Sequence, residues 1–224
     1  MYKLVLFDVV NTLVVDSKDV SEYVSESIRN IYGRIVQADL KKYEGQSSQN
    51  IAEDILRHDK MPEEEIKSKL NRYMEDLFYT YYNVAGHDTL ILVDGARSLL
   101  GQIWKKDIAI GIVTGEAERI AKFRAEKTTI HGFFKMGAYG NDGKEPSDIV
   151  NAAIKRAKSD LGVESGGIAI VASSPYLIKA AKRCGVAAIG IANAGYSESD
   201  LKAAGADLVV RSPKDKGKIV GFLK

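Results

Sequence analysis

The stretch "KLVLFDVVNTLV", residues 3–14, places a carboxylate and a hydroxyl after an apolar run. Residues 3–7 are too few for a helix and too apolar for an exposed strand, so they predict a central strand covered on both faces. Asp8 lies at the carboxyl end of this strand, and Thr12 follows four residues later. Ligands of open α/β sheets bind outside the carboxyl ends of the strands. Asp8 and Thr12 are therefore candidate site residues, and Val10 lies between them.

The second half of the chain alternates between short apolar runs and helical stretches. The apolar runs are residues 108–113, 133–139, 168–171, 186–191 and 208–210. Residues 116–127 and 147–158 have helical periodicity and lie between such runs. Strands that alternate with helices indicate βαβ units and a parallel sheet. Together with the first strand, this pattern predicts a doubly wound, mostly parallel, Rossmann-like α/β core.

The region between the first strand and this alternation is helical throughout. Apolar residues recur there at helical spacing in two sets: Val20, Val24, Ile28 and Ile31, then Ile66, Leu70, Met74, Leu77, Phe78 and Tyr81. Pro62 is followed by three glutamates, which is typical of a helix start. We therefore predict an inserted all-helical cap at residues 16–83, with residues 1–15 and 84–224 forming the core.

The composition excludes several classes of protein. The 224 residues are 45% hydrophobic and 28% charged, with 32 basic and 30 acidic residues and no long run of one sign. This balance disfavours binding to nucleic acid or to an anionic membrane. No apolar run reaches the ~20 residues of a membrane helix. The single Cys184 and the absence of a signal-like N-terminus predict a cytoplasmic protein. The histidines, His58, His87 and His131, are too scattered to indicate a histidine metal site.

Two polar segments follow or precede predicted elements at positions suited to an anion. Thr114-Gly115 comes between a predicted strand and a helix, which puts a hydroxyl and free backbone N–H groups at a strand end. A simple helix cap is the alternative for Thr114. Lys144 lies in a polar loop just before a helix, from which it could reach the same crevice. A solvated surface charge is the alternative for Lys144.

Hydroxyl and amide side chains lie near two further strand ends. Ser173 and Ser174 follow the predicted strand at 168–171, and Pro175 comes next at a position typical of the first helical residue. Ser174 is therefore most simply a helix N-cap. Asn11 follows Val10, and asparagine tolerates the left-handed backbone conformation of a tight turn.

Taken together, these segments resemble the motifs of the haloacid dehalogenase superfamily. Residues 8–12 look like its Asp-x-Asp-x-Thr motif, Thr114 matches its second motif, and Lys144 lies in a segment similar to Lys-Pro-x-Pro-Asp. The helical insertion lies where helical-cap members carry their lid. The segment "IGIANAGYSESDLKAAGADLVV" is also similar to the end of phosphoglycolate-phosphatase-like members. The resemblance covers nearly the whole chain.

The resemblance implies a phosphatase that acts on a small phosphorylated metabolite. Asp8 would be the nucleophile, and Thr114 and Lys144 would complete the catalytic set. The implied phosphate-binding residues are Thr114, Gly115, Lys144 and Asn11. The implied magnesium ligands are Asp8, the backbone carbonyl of Val10 and, weakly, Ser173. No partner protein or oligomeric state is implied.

Three acids of the family pattern are absent from this chain. Val10 replaces the acid–base residue, whose contribution is typically 10²–10⁴-fold in rate. Ser173 and Leu177 replace both carboxylates of the Gly-Asp-x-x-x-Asp motif. Magnesium prefers an octahedron of hard oxygens, so we expect a weak magnesium site, with Asp142 or Glu145 as candidate replacement ligands. A single introduced change at Val10 would not account for three missing acids.

Three functions stay open at this point. The first is a phosphatase with weak or altered activity, and the second is a non-catalytic descendant that binds a phosphorylated ligand or a protein partner. The third, ranked below them, is a metal-independent hydrolase of the dehalogenase branch, because displacement at carbon needs no magnesium. That branch keeps an acid at the position of Leu177, an aromatic residue at Val10 and an arginine from the cap. Arg29 and Arg34 match this arginine by position only.

Overall fold

The computed structural model of the chain describes residues 1–17, 21–43, 45–85, 89–192 and 195–224. Its strands are β1 (Leu4–Phe7), β2 (Val14–Asp16), β3 (Leu90–Leu92), β4 (Ala109–Val113), β5 (Phe134–Ala138), β6 (Ile168–Ala172), β7 (Ala187–Ile191) and β8 (Leu208–Val210). Its α-helices are α1 (Glu22–Tyr32), α2 (Ser48–His58), α3 (Glu63–Ala85), α4 (Ala96–Trp104), α5 (Glu118–Lys127), α6 (Pro146–Leu161), α7 (Pro175–Arg183), α8 (Glu198–Ala203) and α9 (Lys216–Phe222). Val20 and His87, which entered the sequence argument, lie outside the described residues.

The main sheet has six strands in the order β5-β4-β1-β6-β7-β8, and every pair in it is parallel. β1 is central, and Phe7 is in register with Ile112 of β4 and Val171 of β6. The predicted doubly wound α/β core is confirmed. Because the strands are parallel, the residues that follow β1, β4 and β6 meet at one edge of the sheet.

Both faces of the sheet are covered, as the apolar sequence of β1 predicts. Side chains alternate between the faces of a strand. Val5 and Phe7 therefore pack in one core cluster, and Leu4 and Leu6 pack in the other. All of these side chains are buried. A fully buried strand needs no polar alternation, which explains its continuous apolar run.

The inserted region contains α1, α2 and α3, which share a third apolar cluster. This cluster includes Ala117, Ile120 and Phe123 at the start of α5 and along it, so the inserted helices pack directly on a core helix. No helix in the described ranges is both long and apolar enough to cross a membrane. The division into a cap at residues 16–83 and a core at residues 1–15 and 84–224 stays a prediction.

A two-stranded antiparallel ribbon joins the inserted helices to the core. Val14 pairs with Leu92, and Asp16 pairs with Leu90. The sequence analysis did not predict this ribbon, because strands of three residues are too short for a recognisable alternation. The last inserted helix continues to Ala85. The ribbon fixes Asp16 at the base of the inserted region, beside the strand edge.

Candidate active site

A cavity of about 570 Å³ lies at the carboxyl edge of the sheet, between the core and the inserted helices. Of the residues predicted to form the site, it is lined by Asp8, Val10, Asn11, Thr114, Gly115 and Ser173. From the inserted region it is lined by Tyr23, Ala38, Gln46, Ser48 and Ile51, among others. The volume is within the range of small-molecule sites. The sheet therefore brings these six predicted site residues together.

Asp8 is held at the bottom of this cavity by the end of β1. Its backbone N–H donates to Val171 at 3.0 Å, and its Oδ1 accepts the N–H of Val9 at 2.9 Å. Burial raises the pKa of Asp8 to about 7, against the hydrogen bond from the Thr114 side chain. The negative charge of Glu116 also raises this pKa, and the N–H of Val9 and the charge of Arg124 lower it. The cavity therefore favours the neutral form of Asp8 more than water does.

Asn11 occupies the turn that follows Asp8. Its φ of 58° lies in the left-handed region, as predicted for asparagine in this turn. Its N–H donates to the carbonyl of Val14 at 2.8 Å, and Val10 forms an isolated bridge with Val14. The turn therefore directs the chain from the cavity into β2. Val10 itself lines the cavity and offers only an apolar side chain there.

Hydroxyl and apolar side chains form the wall of the cavity beside β6. The Thr12 Oγ1 accepts the N–H of Ser173 at 2.9 Å and lies 3.0 Å from the Ser173 hydroxyl. Leu177 lines the same wall and is buried. Ser174 is a helix N-cap, since its hydroxyl accepts the N–H of Tyr176 at 3.2 Å. This wall carries no ionisable group at Thr12, Ser173 or Leu177.

The donor set beside Asp8 does not fit magnesium. Thr12 and Ser173 bind each other, and the described residues contain no group of three His, Cys, Asp or Glu residues that could hold a metal ion. Asp142 is held by Arg156, with two contacts of 2.6 Å. Glu145 caps α6 together with Asp148. Neither Asp142 nor Glu145 is among the residues that line the cavity.

The start of α5 was predicted to offer free N–H groups to an anion, but its donors have partners within the protein. The N–H of Ala117 donates to the Ser48 hydroxyl at 3.1 Å, and the N–H of Glu118 donates to Asn141 at 2.8 Å. The carbonyl of Gly115 accepts the N–H of Ser48 at 2.9 Å. A phosphate that used the N–H of Ala117 would therefore have to displace Ser48, a residue of the inserted region.

Lys144 is the predicted site residue that the structure does not bring to the cavity. Its ammonium donates to Glu53 of α2, so it joins the core to the inserted helices. Glu53 is only 1% exposed and also accepts from Arg57 at 2.6 Å and Gln49 at 3.1 Å. Although burial raises the pKa of Glu53, the hydrogen bonds from Lys144, Gln49 and Arg57 hold it below its ordinary value.

A buried charged cluster, which sequence reasoning missed, forms the opposite wall. It consists of Asp16, Glu116 and Arg124, all of which line the cavity. Arg124, only 3% exposed, lies 2.7 Å from the Asp16 carboxylate and donates to Glu116 at 2.9 Å. Tyr81 donates its hydroxyl to Asp16 at 2.9 Å. We call these three charged residues the Arg124 cluster.

One signal in the sequence could have indicated this cluster. Arg124 lies four residues after Ile120 and three after Ala121, on the face of α5 that the apolar residues bury. A charged side chain on a buried helix face needs a partner of opposite charge, because unpaired charges are almost never buried. Among the lysines and arginines that the structure describes, Arg124 is the one that lines the cavity. Arg29 and Arg34 instead pair with Glu26 and Asp59 at exposed positions.

A family profile matches most of the chain, and solved structures share its fold. The haloacid dehalogenase-like hydrolase family profile matches residues 5–191. The chain is similar to a hydrolase from Pseudomonas syringae (18% identity, 100% of this chain and 99% of the other, TM-score 0.72). It is also similar to a predicted phosphatase from Clostridium acetobutylicum (20%, 99% and 99%, TM-score 0.70). A predicted phosphoglycolate phosphatase from Haemophilus somnus 129pt gives 17% identity, 98% of each chain and a TM-score of 0.70.

The fold, the position of Asp8 and the profile match define the class of this protein. It belongs to the haloacid dehalogenase-like hydrolase family, as the resemblance of its motifs predicted. No curated protein sequence gives a significant match to it. The structural similarities, all near 20% identity, extend the agreement in fold over essentially the whole chain.

Proposed function

We propose that the chain is a phosphatase of a small phosphorylated metabolite, that Asp8 is its nucleophile, and that its activity is weak. The observation that carries the proposal is the position of Asp8. Its carboxylate is buried at the end of the central strand, contacts the Thr114 hydroxyl and faces a cavity of metabolite size. Family membership and the similarity to phosphatase structures support phosphate chemistry.

Positive charge at the cavity is limited, which is one reason to expect weak activity. Among the residues that the structure describes, Arg124 is the cation that lines the cavity, and it is already paired with Asp16 and Glu116. Lys144 can contribute only if it leaves Glu53. Coulomb repulsion between a carboxylate and a phosphate is strong at short range in a buried site. Attack by Asp8 is therefore slow unless these pairs rearrange.

The second reason to expect weak activity is the absence of three acids of the family pattern. Val10 cannot protonate a leaving group, and general acid–base catalysis typically contributes 10²–10⁴-fold. Since the donor set does not fit magnesium, we propose that the ion binds weakly at Asp8, the Val10 carbonyl and Ser173, and that catalysis does not depend on it. We retain a cytoplasmic location as a prediction and propose neither nucleic acid nor a membrane as a partner.

The direct test is phosphate release from a panel of small phosphomonoesters. We expect slow release by the unmodified protein, and no release above background by Asp8→Asn. Asp94→Asn is the matched control, because Asp94 is exposed, pairs with Lys214 and does not line the cavity. Equal release by the unmodified protein and Asp8→Asn would contradict the proposal.

A non-catalytic, ligand-binding protein is the second candidate. It is favoured by Val10 and Leu177, which line the cavity without offering an acid group there. Calorimetric titration with glycerol phosphate separates the candidates. Binding without hydrolysis, weakened in Thr114→Val, would favour this second function.

A further inference from the structure

We propose that Glu116 is the general acid and base that works with Asp8, in place of the acid that Val10 lacks. This role rests on the proposed hydrolysis at Asp8. Glu116 and Asp8 line the same cavity, at the ends of neighbouring strands. Thr114 connects them, because its side chain hydrogen-bonds Asp8 and its Oγ1 accepts the N–H of Glu116 at 3.4 Å.

One carboxylate oxygen of Glu116 is available for proton transfer. Its Oε1 accepts from the Nε of Arg124 at 2.9 Å, which fixes the orientation of the side chain. Its Oε2 is buried and has no hydrogen-bond partner among the residues that the structure describes. A buried polar atom without a partner is costly and calls for an explanation. A proton on Oε2, or a substrate oxygen or water beside it, supplies the missing hydrogen bond.

Asp16 is the other carboxylate in the cluster, and its oxygens are both engaged. Its Oδ1 accepts the Tyr81 hydroxyl at 2.9 Å, and its Oδ2 lies 2.7 Å from Arg124. Both Asp16 oxygens therefore already have a close contact within the protein, unlike Oε2 of Glu116. This comparison assigns proton transfer to Glu116 and leaves Asp16 as a positioning residue for Arg124.

The surroundings of Glu116 favour its protonated form more than water does. Burial raises the pKa of Glu116, the charge of Arg124 lowers it, and the charge of Asp16 raises it. Titratable groups nearby among the described residues include Asp8, Tyr23 and Tyr81, whose own pKa values the charge of Glu116 raises. The direction of the shift agrees with the geometry, in which Oε2 is the carboxylate oxygen without a partner in the described part of the chain.

The proton balance of the reaction is complete with these two residues. The Asp8 carboxylate attacks phosphorus, the bond from phosphorus to the leaving oxygen breaks, and the Glu116 carboxyl proton passes to that oxygen. The Glu116 carboxylate then takes a proton from water. The water oxygen attacks the phosphorus of phospho-Asp8, and the Asp8 carboxylate leaves, which releases phosphate and restores both residues.

The test compares the unmodified protein with Glu116→Gln on two phosphomonoesters. One is para-nitrophenyl phosphate, whose leaving group needs little protonation, and the other is glycerol phosphate, whose alcohol needs it. Phospho-Asp8 is measured by rapid quench and mass spectrometry. With para-nitrophenyl phosphate, we expect phospho-Asp8 to form in Glu116→Gln and to hydrolyse at least ~100-fold more slowly. With glycerol phosphate, its formation should be lost as well.

Controls separate proton transfer from a structural role. Glu116→Asp retains a carboxyl, so it should keep part of the dephosphorylation rate and its dependence on pH. Val10→Asp added to Glu116→Gln should restore dephosphorylation, because it supplies an acid beside Asp8. Hydrolysis of phospho-Asp8 at the same rate in Glu116→Gln and in the unmodified protein would overturn the role of Glu116 alone. Absence of phospho-Asp8 from both proteins would overturn the proposed hydrolysis and this role with it.

Discussion

The two walls of the cavity around Asp8 differ in charge. The wall beside β6 presents Ser173 and Leu177, with the buried Thr12 hydrogen-bonded to Ser173, and none of these side chains carries an acid group. The wall beside β4 presents Glu116 and Arg124, with Asp16 behind them. In the family pattern that the motifs resemble, the acids belong to the first wall. In this chain, the ionisable groups that line the cavity beside Asp8 therefore include Glu116, Arg124 and Asp16 on the side of β4.

The same comparison explains how each wall is held. Thr12 and Ser173 are neutral, so a pair of short hydrogen bonds satisfies them. The Arg124 cluster buries three charges, and burial of a charge is tolerated only with close partners of opposite sign. Its contacts involve α5, the β2–β3 ribbon and Tyr81 of α3. The charged wall therefore depends on the inserted helices being in place.

The largest expected effect comes from restoring the three acids of the family pattern. The triple change Val10→Asp, Ser173→Asp and Leu177→Asp restores the acid and the carboxylates that magnesium requires. We expect magnesium-dependent phosphatase activity to rise by at least ~10³-fold, since general acid–base catalysis typically contributes 10²–10⁴-fold and a metal ion adds to this. Each single change should do little, because residues that act as a unit are strongly non-additive. Similar activity in the single and triple variants would argue that the absence of these three acids does not limit the rate.

Removing the positive charge of Arg124 should have the next largest effect, which is on stability. Arg124→Met leaves Asp16 and Glu116 buried without a counter-charge, which typically costs about 3–5 kcal/mol. We expect the free energy of unfolding in urea to fall by this amount. Arg211→Met is the matched control, because Arg211 is 86% exposed and its pair with Glu198 should contribute at most about 1 kcal/mol. An equal fall in the free energy of unfolding in the two variants would show that Arg124 contributes no more to stability than an exposed arginine does.

The ion pair between Lys144 and Glu53 should have a smaller effect, which depends on pH. The pKa of Glu53 is lowered in the folded protein, so its ionised form contributes stability above the ordinary glutamate pKa. This contribution is lost as the pH falls through the lowered pKa. Lys144→Met should reduce stability at pH 7 by about 1 kcal/mol and move the acid-side loss to higher pH.

The control for this pair is Lys158→Met, since Lys158 forms an exposed pair with Glu164 at 3.0 Å. Urea unfolding at several pH values should show the same fall in the free energy of unfolding at acid pH for this control and for the unmodified protein. If the free energy of unfolding of Lys144→Met falls over the same acid pH range as well, then Lys144 does not cause the low pKa of Glu53.

Magnesium should have the smallest effect of all. Binding stabilises a protein by RT ln(1 + [L]/Kd), so millimolar magnesium at a weak site contributes only tenths of a kcal/mol. For a chain of this length, the melting temperature should then rise by less than about 1 °C. A larger rise that vanishes in Asp8→Asn would mean that the cavity holds the ion well.

The sequence predicted the fold because its apolar runs are periodic and long enough to be distinctive. It also predicted that Asp8, Thr114 and Ser173 meet, since residues after parallel strands share one edge of the sheet. It missed the partners of Lys144 and Arg124. Those contacts are with Glu53 and Asp16, which lie in the inserted region and at its base, and local periodicity does not specify how such a region packs.

The most direct test of the central claim is the hydrolysis of para-nitrophenyl phosphate with and without magnesium. The claim is that Asp8 acts with Glu116 and the rest of the Arg124 cluster, and not with a metal ion held beside Ser173. We predict slow turnover by the unmodified protein that is the same in millimolar magnesium and in excess chelator, and that is lost in Asp8→Asn. Robust turnover that requires magnesium and disappears in chelator would contradict this account.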